Sequence, residues 1–200
     1  MEPIGPEAIS STPPARFPVR TALGFYALLG LSAWLVRSLG QGESLFFANP
    51  EAAREGIRLT ADVSLGLATG ALAIAASHAL TRFTRAGERL SRALGALLGP
   101  LELRHCVALA VASGVGEEAF FRGLLQPNFG LIVASTAFGL VHFVPRRELW
   151  PWTLFALAGG FALGGLFEAS GNLVAPIVAH ATLNAVNLRM LAREFDASRA

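Results

Sequence analysis

Two adjacent glutamates, Glu117 and Glu118, are followed four residues later by Arg122 inside a stretch apolar enough to cross a membrane. Charge in hydrocarbon is costly even on lenient scales, so it is retained there where it pairs, faces a cavity or does chemistry. Two further apolar stretches carry polar side chains: His142, with Phe138 four residues before it, and the set His180, Asn184 and Asn187. Two carboxylates and two imidazoles in a low-dielectric pocket can hold a water and take its proton. A histidine and an asparagine can donate hydrogen bonds to the oxyanion that follows. The chemistry this suits is hydrolysis of an amide within or beside the membrane. A divalent metal such as zinc is the other use of such groups, with Glu117, His142 and His180 as candidate ligands and water as the fourth. The stronger zinc signature, H-E-x-x-H on one helix, is absent from the chain.

The spacing of these residues lets each helix aim its polar pair inward. Glu118/Arg122, Phe138/His142 and His180/Asn184 are all i,i+4 pairs and so share a face. Glu118 precedes Arg122 in the order favoured for a helical ion pair, which leaves Glu117, about 100° around the helix, as the freer carboxylate. Measured from expected outer turns near Asn128 and Ser170, Glu118 and His180 each lie ten residues in, and His142 and Asn184 fourteen. At ~1.5 Å per residue these are depths of roughly 15 and 21 Å, one turn apart. Each group also has a plainer use. A Glu–Arg pair can be structural, His142 lies near a helix end, and Glu168, Asn172 and Asn187 can cap or bridge helices. His78 and His105 lack companions and read as packing residues. Ser113, Gly114, Gly116, Ala119 and Gly123 surround the glutamates, and Gly159, Gly160, Gly164 and Gly165 line a later span; small residues let helices approach closely.

These residues sit in a 200-residue chain with 53% apolar and only 15% charged side chains and a mean hydropathy of +0.52, outside the range of a soluble globular domain. Six apolar runs are long enough to count as spans: 21–39, 62–80, 103–126, 128–144, 150–167 and 173–191. Between the second and third, 81–102 sets Arg82, Arg85, Arg89 and Arg92 among Leu90, Leu94, Leu97 and Leu98, the pattern of an amphipathic surface helix. The expected fold is all-α: a polytopic membrane bundle of about six spans forming one domain over 21–191, with the motif core in 101–191. Residues 1–20 read as a water-exposed, disordered leader rather than a signal peptide, and 192–200 as a short tail.

All sixteen basic residues are arginine, and a cytoplasmic N-terminus puts twelve of them on the cytoplasmic side against three, Arg37, Arg54 and Arg58, on the other. The positive-inside rule then predicts both termini in the cytoplasm. Trp150 and Trp152 fall at a predicted interface and read as anchors. The arginines carry no sign of a nucleic-acid site. The single Cys106 excludes an internal disulfide and reads as a packing residue.

Taken together, the three motifs resemble the CAAX protease and bacteriocin-processing (CPBP) family of intramembrane proteases, also called abortive-infection proteins. The resemblance covers 114–187. It rests on Glu117-Glu118-Ala119-Phe120-Phe121-Arg122-Gly123 for E-E-x-x-x-R, Phe138 to His142 for F-x-x-x-H, and Asn172-Leu173 followed by His180 to Asn184 for H-x-x-x-N. It implies an intramembrane endopeptidase in a bacterial inner membrane, acting on a membrane peptide or protein within the lipid bilayer. Carried over, it makes Glu117 and His142 the water-activating pair and His180 and Asn184 the oxyanion support, with Glu118 and Arg122 at the motif's other fixed positions. The chain is shorter than eukaryotic-type CAAX-processing members, and nothing in it suggests a pocket for a prenylated tail. Two other functions compete. A small proton- or ion-coupled carrier also uses intramembrane Glu, His and Arg, but the two halves show no internal repeat. The third is a catalytically silent member of the family that scaffolds or confers immunity.

Overall fold

The computed structural model describes residues 17–197. The expected leader, up to residue 16, and the end of the expected tail lie outside the described residues. Helix α1 (Val19–Trp34) runs on through a wider π-helical segment, Leu35–Gly40; the short α2 (Pro50–Glu55), capped by Asn49, follows. Then come α3 (Leu59–Phe83), α4 (Arg85–Leu98), α5 (Leu103–Glu118), a second π-helical segment (Ala119–Leu125), α6 (Gln126–Val141), α7 (Trp150–Ser170) and α8 (Val174–Ala197). The tail expected from residue 192 therefore continues α8 as far as Ala197. Among the described residues, the non-helical pairing is one isolated antiparallel bridge, Phe47 with Asn172.

Four helical stretches are long and apolar enough to cross a membrane: Val19–Gly40, Leu59–Phe83, Leu103–Val141 and Arg147–Ser170. Large apolar side chains such as Phe25, Leu28, Leu72, Ile132 and Leu154 face outward. An apolar exterior over such helices marks an integral membrane bundle. α8 packs against α3 and α5 and carries His180, Asn184 and Asn187 among its residues. This polar content lowers its mean hydropathy below that of the other long helices.

The Leu103–Val141 stretch is 39 residues long, so as a straight helix it would reach about 58 Å, nearly twice the ~30 Å hydrocarbon core. It folds back at Gly130, whose φ of 83° and ψ of 166° are open to glycine and strained for any other residue. The reversal brings the Phe121 and Phe138 rings to 5.1 Å between centroids. The returning arm, 131–141, has a helical rise of about 17 Å. It is thus shorter than the expected fourth span, 128–144. Pro145 explains its end, because the residue before a proline is disfavoured in helix and the chain leaves the helix just upstream.

α4 is the expected amphipathic helix. Thr84 caps it, Leu90 and Ser91 face the bundle, and Ser91 Oγ donates to Glu194 of α8. On the opposite end, Asn172 is fully buried and is bonded to Asp62 Oδ2 of α3 at 2.9 Å, to Ser170 O at 2.9 Å and to the Val174 amide at 2.9 Å. The capping reading of Asn172 therefore extends to a three-way tie among α3, α7 and α8.

Replacing Gly130 with alanine should cost about 1–3 kcal/mol, the strain of forcing a side chain into this backbone region. Thermal unfolding in detergent measures it, and an unchanged midpoint would contradict the reversal.

Candidate active site

The reversal at Gly130 sets the site's geometry. Glu118 lies twelve residues before it and His142 twelve after, so the two arms bring the Glu pair and His142 to one level. His142 Nε2 is 3.7 Å from Glu117 Oε2. The expectation that His142 would share a deeper level with Asn184 is corrected, because the turn falls at Gly130 rather than near Asn128. Asn184 Nδ2 instead donates to Ser113 Oγ at 2.9 Å.

Glu118 is fully buried. Its Oε1 accepts from Arg122 Nη1 at 3.1 Å and from His180 Nδ1 at 2.7 Å. Arg122 is also buried; its Nη2 donates to Gly160 O at 3.0 Å, and its guanidinium carbon stands 4.4 Å from the Phe138 ring centroid. The expected Glu118–Arg122 pair is present, with His180 as a further partner. The π-helical segment that carries Arg122 begins directly after Glu118, and such widened turns recur at functional sites.

His142 owes its orientation to the helix end. The last turn tightens, with the His142 amide on Gly139 O and the Phe143 amide on Leu140 O. That leaves the Phe138 carbonyl for His142 Nδ1 at 2.7 Å. A carbonyl only accepts, so Nδ1 carries a proton, and in the neutral tautomer this selects the Nε2 lone pair faces Glu117. Phe138 and Trp152 hold the ring from two sides, at 4.6 and 5.3 Å between centroids. Glu117 Oε2 takes no hydrogen bond from another described side chain. In that tautomer two acceptor atoms face each other.

These groups line a cavity of about 490 Å³ shared with Tyr26, Leu90 and Leu94. Among the described residues, no three His, Cys, Asp or Glu side chains converge closely enough to hold one ion. The trio Glu117, His142 and His180 therefore does not fit a metal as positioned. Asn187, grouped with the polar residues of the sixth span, donates to Ser77 on α3 at 3.1 Å. Gly159 and Gly165 face open space, whereas Gly160 packs closely against Ser135. Two site residues were not legible as such. Trp152, read as an interface anchor, stands against His142. Tyr26, which lines the same cavity as Glu117, lies on α1 far from the motifs; its one signal is a hydroxyl within an apolar span.

Residues 99–186 match the family model described as type II CAAX prenyl endopeptidase Rce1-like. This segment holds Glu117, Glu118, Arg122, His142, His180 and Asn184, and agrees with the CPBP resemblance of the motifs. The uncharacterized protein YpbD of Bacillus subtilis (strain 168) is 40% identical over 84 residues, covering 41% of this chain and 43% of that protein. The matched region thus spans less than half the length of this relative. No solved structure matches the chain.

Replacing Arg122 with leucine should lower stability by about 3–5 kcal/mol, because a buried carboxylate loses its cation. Adding Glu118→Leu should restore part of that loss. Folded yield and thermal unfolding in detergent test both; a single variant as stable as wild type would contradict the pairing.

Proposed function

We propose that the protein is an intramembrane endopeptidase in which Glu117 is the general base, His142 orients the water, and His180 with Asn184 supports the oxyanion. The observation that carries this reading is the facing pair of acceptors, Glu117 Oε2 and His142 Nε2, 3.7 Å apart. A water about 2.8 Å from both satisfies them with its two hydrogens and keeps its lone pairs for a carbonyl carbon. Glu118, tied to Arg122 and His180, supports the site without taking the proton.

The step follows from these positions. The water oxygen adds to the scissile carbonyl carbon while its proton passes to Glu117 Oε2. The carbonyl electron pair moves to oxygen, where Asn184, with one Nδ2 hydrogen beyond the one given to Ser113, and the Nε2–H of an imidazolium at His180 donate. Because His180 Nδ1 already gives its proton to Glu118, this role requires His180 in its doubly protonated form. Collapse re-forms the carbonyl and breaks the C–N bond as the proton on Glu117 moves to the leaving nitrogen. The likeness to Rce1-type endopeptidases and the burial of the groups within a membrane bundle support a membrane peptide or protein as substrate. The arginine distribution supports an orientation with both termini cytoplasmic.

In detergent, with a quenched fluorescent peptide library, Glu117→Gln should lower cleavage by about 10²–10⁴-fold, the usual contribution of a general base, and leave the folded yield unchanged. His142→Ala should also lose activity while folding. Glu118→Gln should instead reduce the folded yield. Cleavage insensitive to the first two substitutions would refute the assignment.

A further inference from the structure

Tyr26 is the chain's single tyrosine, on α1 and outside the 99–186 segment that holds the three motifs. The contact of α1 with α5 is tight at Gly116, where a Cβ would come 2.5 Å from Tyr26 O. A glycine beside Glu117 therefore lets the Tyr26 backbone close on α5. The Tyr26 side chain joins Glu117, His142 and His180 in the cavity wall. Its phenol shares that wall with the Glu117 carboxylate, and a hydroxyl at this depth requires a partner. The other groups around Glu117 are Glu118 on α5, Arg122 on the π-helical segment, His142 at the end of α6 and His180 on α8. Arg122 and the His180 Nδ1 are bonded to Glu118, and His142 Nε2 presents a lone pair in its neutral form. Tyr26 thus brings to Glu117 a donor from outside the motifs.

We propose that Tyr26 is a positioning residue for the base. By donating to one carboxylate oxygen, its hydroxyl turns Glu117 Oε2 toward His142 and the water. The proposal rests on Glu117 as the base, and its test separates the two claims. Tyr26→Phe keeps the ring and should fold as wild type by thermal unfolding in detergent. On the library peptide that wild type cleaves fastest, kcat should fall about tenfold with little change in KM. If Tyr26→Phe leaves kcat unchanged while Glu117→Gln abolishes cleavage, positioning is overturned and the base assignment stands. A second readout needs no activity: the infrared band of the single phenol should shift between wild type and Glu117→Ala. An unchanged band overturns the hydrogen bond, whatever the role of Glu117.

Discussion

A carboxylate at the centre of a bundle in hydrocarbon is tolerated only if its neighbours meet its charge, and the neighbours of Glu118 come from distant parts of the chain. Arg122 reaches it from the π-helical segment, and His180 from α8. Arg122 in turn holds the Gly160 carbonyl of α7 and lies over the Phe138 ring of α6. One buried charge therefore ties five elements together, its own α5 included. It also divides the labour between adjacent glutamates: Glu118 Oε1 is committed to two donors, while Glu117 presents Oε2 to the cavity and to His142.

The second constraint is the length of the arm that carries His142. Gly130 begins it with a backbone conformation suited to glycine, and Pro145 ends it by excluding helix upstream. The arm stops level with the glutamates instead of crossing. Stopping there frees the Phe138 carbonyl, and that carbonyl fixes the His142 tautomer. The same backbone feature that shortens the helix thus prepares the lone pair that faces Glu117.

Much of this was legible before the structure. Charge in an apolar run marked Glu117, Glu118 and Arg122, and i,i+4 spacing put Phe138 with His142 and His180 with Asn184 on shared faces. The helical membrane bundle and the amphipathic α4 followed from hydropathy and arginine placement. The exact level of His142 was not legible, because Asn128 and Gly130 are both reasonable turn residues and two residues shift the depth by about 3 Å on each arm. Tyr26 and Trp152 were missed for a different reason. Their roles come from contacts between helices far apart in sequence, and an aromatic residue in a membrane span carries no local mark that separates a site wall from an anchor. The match to Rce1-like proteins at 99–186 begins after α1, so it too is silent on Tyr26.

The division between the two glutamates is tested most directly by a high-resolution structure of the protein with a peptidyl ketone whose hydrate mimics the tetrahedral intermediate. The account predicts one hydrate oxygen between Glu117 Oε2 and His142 Nε2, and the other within hydrogen-bond distance of His180 and Asn184, with Glu118 still bound to Arg122. A hydrate oxygen bonded to Glu118, with Glu117 turned away, would contradict it.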